Sequence, residues 1–173
     1  MAKAGAEGSR KRTVKEREKY IMSLVKQMTL DEKIGMIHGA GLFRTAGVPR
    51  LGIPELHMSD GPMGVRQEFV DNDWKNVYDS DDTVTYLPSN SAIAATWNPK
   101  RAKECGEVLG AEARGRGKDV ILAPGINIKR TQLCGRNFEY MSEDPYLVSE
   151  MTVPLIKGIQ KADVAACVKH FAV

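Results

Sequence analysis

The chain has 173 residues, of which 42% are hydrophobic and 27% are charged, and its formal net charge is +3. These values are those of an ordinary globular protein, and they exclude a disordered or collagen-like chain. The small positive excess comes from a basic amino-terminal run that is interleaved with Glu16 and Glu18, as on a solvated helix face. The sequence therefore implies no nucleic-acid partner.

The cysteine and histidine positions and the hydropathy indicate which cofactors and which compartment the sequence is compatible with. The three cysteines are odd in number and lack metal-ligand spacing, so neither a disulfide framework nor a zinc site is suggested. The three histidines are far apart, and we expect neither a metal nor another cofactor. No apolar run has the length of a membrane span or the pattern of a signal peptide. We therefore expect a cytoplasmic protein without a membrane partner, unless a leader was removed.

Two helices are predicted near the amino terminus, after a flexible basic tail at residues 1–12. Each helix begins at a capping box that is followed by apolar residues at helical spacing. The two boxes are Thr13 with Glu16 and Thr29 with Glu32. The helices should end near Met28 and Gly39, and a glycine-rich loop should continue to Pro49.

A first strand is predicted to end at Asp60, because a short apolar stretch stops there at an acid followed by a Gly-Pro turn. Residues 63–85 are polar and predict a long surface excursion, and loops of that length are commonly functional or mobile. A short apolar helix is predicted over residues 89–96. Asn98 and Pro99 then begin a longer helix, since asparagine caps helices and proline suits the first helical position.

The rest of the chain alternates strands with a helix. Residues 120–123 predict a buried strand, which a loop rich in charged residues follows. A helix is expected from Tyr146 to Gln160, and Pro154 should either bend it or split it. Residues 163–171 predict another apolar strand. This alternation indicates a parallel sheet whose faces are covered by helices.

Several polar side chains lie at or just beyond the carboxyl ends of the predicted strands, where eight-stranded α/β barrels keep their active sites. They are Asp60, Arg136, Lys169 and His170. Taken alone, Asp60 more commonly closes a turn, and Lys169 with His170 could be a strand end in water. Taken together, they suit a polyhydroxylated ligand, because a carboxylate accepts from two neighbouring hydroxyls while the cationic side chains donate to others.

A series of long motifs covers most of the chain. They are Leu51-Gly-Ile-Pro, Ser59-Asp-Gly-Pro-Met-Gly-Val-Arg66, Asn127-Ile-Lys-Arg-Thr-Gln-Leu-Cys-Gly-Arg-Asn-Phe-Glu-Tyr140 and Val168-Lys-His-Phe171. In this order and spacing, over residues 28–173, the chain resembles the amino-terminal barrel of family 3 glycoside hydrolases. Its Lys-Arg-x-x-x-Cys-Gly-Arg-Asn-Phe-Glu-Tyr motif is similar to that of the β-glucosidases rather than the β-xylosidases.

The resemblance implies an incomplete TIM-like (β/α)8 barrel, with residues 13–173 forming its first half together with the amino-terminal helices. It also implies a subsite that holds the non-reducing terminal glucose of a β-glucoside, lined by Asp60, Arg66, Arg136, Lys169 and His170. Asp60 would accept hydrogen bonds from the outer hydroxyls, while Lys169 and His170 would donate to inner ones.

Retaining glycosidases need two carboxyl groups about 5 Å apart, one as the nucleophile and one as the acid/base. The resemblance places the nucleophilic aspartate and the acid/base glutamate beyond Val173. We therefore expect the chain to hold glucose without hydrolysing anything by itself. Its partner would be the remainder of the barrel and the following domain, in the same protein or in a second chain. The alternative is a non-catalytic sugar-binding protein or a truncated gene product.

Overall fold

A computed structural model describes three stretches of the chain, which are residues 13–70, 73–75 and 83–171. The predicted tail at residues 1–12 lies outside them, as does part of the predicted excursion. The helices and strands, in chain order, are α1 Val14–Gln27, α2 Leu30–Met36, β1 Gly39–Gly41, β2 Arg44–Thr45, β3 Met58–Asp60, α3 Asn90–Ala95, α4 Pro99–Gly115, β4 Val120–Leu122, α5 Pro145–Gln160 and β5 Ala165–Ala166. Two short 3-10 turns cover Pro49–Leu51 and Asn137–Glu139.

The predicted helix starts are confirmed by their caps. Both capping boxes of α1 and α2 are complete: each cap threonine accepts from the glutamate amide, and each glutamate accepts from the threonine amide. Asn98 caps α4 through the amide of Lys100, with Pro99 at the first helical position. Helix α5 is one continuous element, so Pro154 does not split it.

Part of the stretch predicted as a loop before Pro49 is a hairpin. Strand β1 pairs antiparallel with β2, and β2 continues onto the start of β3 through an antiparallel bridge between Arg44 and His57. The amide of Met58 donates to the carbonyl of Phe43 at 2.8 Å. Strands this short contain few residues that would predict them from sequence. They are stabilised by pairing with each other and with the start of β3.

The predicted parallel sheet is confirmed, with the strand order β3-β4-β5. Strand β5 is shorter than the predicted 163–171, because only Ala165 and Ala166 pair in regular register with β4. Pairing resumes at a bridge between Gly125 and Lys169. Between them lies Pro124, which has no amide hydrogen to donate to the ladder.

Helices α4 and α5 cover one face of this sheet, and they cross at three glycines. A Cβ atom built on Gly106 would lie 2.1 Å from the carbonyl oxygen of Leu155, and one on Gly158 would lie 2.3 Å from that of Lys103. The third glycine of the crossing is Gly110. The two backbones can approach this closely only because no side chain stands between them.

The apolar core lies between these helices and the sheet. Its most deeply buried members include Leu109 of α4, Ile121 of β4, and Met151 and Ile159 of α5. On the opposite face of the sheet, Met58, Val120 and Leu122 are only partly buried, so the expected cover on both faces is absent within the described stretches. The fold is an α/β arrangement that forms an incomplete TIM-like barrel. None of the described helices combines the length and hydropathy of a membrane span.

Candidate functional site

The carboxylate of Asp60, at the end of β3, is held by donors from three parts of the chain. Lys169 donates from Nζ to Oδ1 at 2.9 Å, and Arg66 donates from Nη1 to Oδ2 at 3.3 Å. The backbone amide of Gly61 also donates to Oδ1, at 3.1 Å. The Asp60 side chain is 29% exposed and that of Lys169 only 13%. The carboxylate is therefore held from one side and open on the other, where it can accept further hydrogen bonds.

The imidazole of His170 is held at both ring nitrogens. Arg136 Nη2 lies 2.8 Å from Nε2, and the Tyr140 hydroxyl lies 3.0 Å from Nδ1. The guanidinium of Arg136 is itself paired with the carboxylate of Glu139. The backbone amide of His170 donates to Asn127 Oδ1 at 2.6 Å.

These contacts assign the tautomer of His170. A guanidinium can only donate, so Nε2 must be the acceptor and the ring proton must be on Nδ1, from which it is donated to Tyr140. Both ring nitrogens are thus engaged, Nδ1–H with Tyr140 and the lone pair of Nε2 with Arg136. Donation from the ring to a sugar hydroxyl, which the family resemblance implies, would require either Tyr140 to release Nδ1 or Arg136 to release Nε2 with transfer of the ring proton to that atom.

Electrostatics agree with a neutral ring. Burial, followed by the charges of Arg136 and Lys169, lowers the pKa of His170, and this outweighs the opposite effect of Glu139 and Asp60. The hydrogen bond with Glu139 raises the pKa of Arg136. At neutral pH the site thus combines a neutral imidazole with the guanidinium of Arg136.

The structure brings together all five residues singled out from the sequence. Asp60, Lys169 and Arg66 form one contact group, and Arg136 with His170 forms the other. The consecutive positions of Lys169 and His170 join the two groups. Within the described stretches, no group of three or more His, Cys, Asp or Glu side chains is placed to hold a metal ion.

A comparison with family models identifies residues 56–173 as a Glycosyl hydrolase family 3 N terminal domain. The chain belongs to this family. It is 53% identical over 155 residues to a β-glucosidase of Bacteroides ovatus, covering 90% of this chain and 21% of the relative. It is 45% identical over 152 residues to thermostable β-glucosidase B of Acetivibrio thermocellus, covering 88% and 20%.

Among solved family 3 structures, β-glucosidase 3B of Thermotoga neapolitana in complex with α-D-glucose matches with a TM-score of 0.78 and 39% identity. The match covers 89% of this chain and 23% of that one. Another relative, an exo-α-(1→6)-L-arabinopyranosidase of Bifidobacterium longum, is 36% identical over 86% of this chain and 20% of the relative. The chain thus spans about a fifth of the length of these curated relatives.

Three residues that contact the candidate site were not singled out as site residues from the sequence. They are Asn127, Glu139 and Tyr140. Glu139 and Tyr140 lie in the same motif as Arg136, and the three-residue spacing between Arg136 and Glu139 is that of an ion pair across one helical turn. That spacing was the available signal. Asn127 and His170 are 43 residues apart in the sequence, and no local sequence pattern predicts their contact.

Two cavities adjoin Arg66. The smaller, about 220 Å³, is lined by Asp60, Met63 and Tyr86 among others, and it lies at the strand end that carries the candidate site. The larger, about 460 Å³, lies toward the start of the strands beside His57. Since the ends of the strands position the five predicted residues, the smaller cavity belongs to the candidate site.

Proposed function

We propose that this chain supplies the glucose-binding part of the active site of a retaining β-glucosidase. The observation that carries the proposal is the partly exposed carboxylate of Asp60, held by Lys169 and Arg66 beside the Arg136–His170 pair. Such a set offers an acceptor and several donors to one ring of hydroxyl groups. The β-glucosidases among the relatives, and the glucose complex of the Thermotoga neapolitana enzyme, support the choice of sugar.

Each side chain has a proposed part in holding a terminal glucose. Asp60 accepts from the outer hydroxyls on its exposed side, and Lys169 donates to an inner hydroxyl while it remains close to Asp60. Arg66 fixes the second carboxylate oxygen of Asp60. Arg136, in the loop after β4, and His170, after β5, form a joined pair that contacts the sugar. These contacts bind the substrate, and they stabilise the transition state only if they strengthen during the reaction.

We propose further that the nucleophile and the acid/base lie outside this chain. Both carboxylates of the site are already engaged, since Asp60 contacts two cations and the buried Glu139 contacts Arg136. A retaining mechanism needs one carboxylate free to attack and one carboxyl group able to donate a proton. The remainder of the barrel and the following domain, in the same protein or a second chain, would supply them to residues 13–173. The cytoplasmic location stays a prediction.

The test uses the full-length product of the gene and the 173-residue chain in parallel. We expect the full-length product to hydrolyse an aryl β-D-glucoside with competitive inhibition by glucose, and the chain alone to hydrolyse nothing. An Asp60→Asn variant should weaken inhibition by glucose about tenfold or more, because a charged hydrogen-bond acceptor is lost. The matched control is Asp31→Asn, which changes an exposed aspartate on α2.

Different results separate the alternatives. Binding of glucose without turnover by the full-length product would indicate the non-catalytic sugar-binding protein. Faster hydrolysis of an aryl α-L-arabinopyranoside than of the β-glucoside would assign the substrate of the Bifidobacterium longum relative instead. Turnover by the 173-residue chain alone would refute the proposed division of the active site.

A further inference from the structure

The first turn of α3 contacts the loop that carries Arg136 through the side chain of Asn90. Asn90 is 1% exposed, and its amide nitrogen donates to the carbonyl of Glu139 at 2.8 Å and to that of Gly125 at 3.3 Å. Both partners are acceptors, so the orientation of the amide group is determined. The carboxylate of the same Glu139 pairs with Arg136, which contacts His170 Nε2.

The next residue, Ser91, makes a parallel contact. Its hydroxyl lies 2.9 Å from the carbonyl of Tyr140 and 2.6 Å from the ammonium of Lys129. Because an ammonium can only donate, the hydroxyl accepts from Lys129. Its single hydrogen is directed to Tyr140, the nearest of three carbonyl groups around it, since those of Asn137 and Phe138 are 3.3 Å away. The charge on Lys129 strengthens this second bond by polarising the hydroxyl. The hydroxyl of the same Tyr140 contacts His170 Nδ1.

Two consecutive residues of α3 thus bind the backbone carbonyls of two consecutive residues, Glu139 and Tyr140. The Tyr140 side chain contacts one ring nitrogen of His170, and the Glu139 side chain contacts the other through Arg136. We infer that Asn90 and Ser91, with Lys129 behind Ser91, are positioning residues that set the orientation and tautomer of His170. The inference rests on the proposed function, because His170 matters here as a glucose-binding residue. None of the three positioning residues needs to touch the sugar.

The burial of Asn90 supports a role beyond packing. Its Oδ1 atom is buried and has no hydrogen-bond partner in the part of the chain that the structure describes. An unsatisfied buried oxygen is unfavourable, and an apolar side chain of similar size would avoid it. What an apolar side chain could not do is hold the carbonyls of Gly125 and Glu139 at once. The Asn90 amide therefore holds Gly125, near the start of the loop after β4, in a fixed position relative to Glu139 in the 3-10 turn of the same loop.

The test compares variants of the full-length gene product. Ser91→Ala removes the contact to Tyr140, while Ser91→Thr keeps a hydroxyl and should restore it. Lys129→Met weakens the same contact without altering a buried residue, so it serves if Ser91→Ala fails to fold. The matched control is Thr96→Val at the other end of α3, which deletes a hydroxyl-to-carbonyl bond of 2.7 Å to Ile93 and a bond of 3.2 Å accepted from the amide of Asn98.

Two readouts report on the orientation of His170 rather than on stability. One is the pair of ring nitrogen chemical shifts of His170, which distinguish the two tautomers without any ligand. The other is the pH dependence of the inhibition constant for glucose. We expect Ser91→Ala to raise the inhibition constant for glucose about fivefold, which is the effect of losing one neutral hydrogen bond. Its ring shifts should indicate mixed tautomers, and the acid limb of the pH profile should move to higher pH.

Unchanged ring shifts and an unchanged acid limb in Ser91→Ala, or in Lys129→Met where it replaces that variant, would overturn the inference. A change of equal size in Thr96→Val would do the same, because it would indicate general loosening of α3. If the unmodified protein neither binds glucose nor hydrolyses a β-glucoside, the proposed function fails. The positioning of His170 would then be decided by the ring shifts alone, which require no sugar.

Discussion

Substitution of Gly106 by alanine should destabilise the protein although alanine favours helices. The added Cβ would lie 2.1 Å from the carbonyl oxygen of Leu155 and 3.0 Å from its carbonyl carbon, both backbone atoms that cannot rotate away. A relaxed contact needs more than about 3 Å, so α4 and α5 must separate by about 1 Å along this line. Overpacking by a methyl group costs about 3 kcal/mol at the upper end of the usual range, and the helix preference of alanine returns about 1 kcal/mol.

The net loss of about 2 kcal/mol corresponds to a melting temperature lowered by roughly 4 to 8 °C for a domain of this size. Thermal unfolding followed by circular dichroism measures it. The matched control is Gly115→Ala at the end of the same helix, where an added Cβ meets nothing within 4 Å. We expect this control to melt at or slightly above the temperature of the unmodified protein. If both variants melt within about a degree of each other, the close crossing does not limit stability.

Three further results are expected. Lys169→Met should weaken glucose inhibition roughly ten- to a hundredfold, as for a lost charged hydrogen bond, whereas the exposed Lys157→Met should not. The folded-state pKa of His170 is lowered, so its contribution to stability is complete above the unfolded value near 6.5 and is lost as pH falls through the folded value. The free energy of unfolding in urea should therefore rise with pH across this window, and His170→Gln should make the rise smaller. An equal rise in the variant would contradict the lowered pKa of His170. Burial raises the pKa of the Cys105 thiol, so mass spectrometry should find iodoacetamide on it later than on the exposed Cys134 and Cys167.

Local chemistry made the helix starts and the end of β3 predictable. A capping box such as Thr13 with Glu16 is complete within four residues, so the sequence alone contains both partners. Asp60 was placed correctly because a run of apolar residues stops there, and parallel strands bring their carboxyl ends to one edge. That geometry is also why Asp60 and Lys169, 109 residues apart, could be expected to meet.

The features missed from the sequence depend on contacts between distant segments. The hairpin before Pro49 consists of short strands that are stabilised by pairing with the start of β3. Likewise, Asn90 and Ser91 look like an ordinary helix start, and only the folded loop places the carbonyls of Glu139 and Tyr140 within their reach. The pattern of apolar residues indicates which faces are buried, but it does not indicate which backbone groups a buried amide will bind.

The hairpin has a further consequence for how this sheet can be extended. Because the carbonyl of Phe43 accepts from Met58, and Arg44 bridges to His57, the free edge of β3 is occupied near its start. A strand that closes the barrel beside β3 therefore has to share this edge with the hairpin, which contacts it only at its start. The two edges of the parallel sheet thus differ: the hairpin covers the start of one, whereas β5 pairs with no strand other than β4 in the part of the chain that the structure describes.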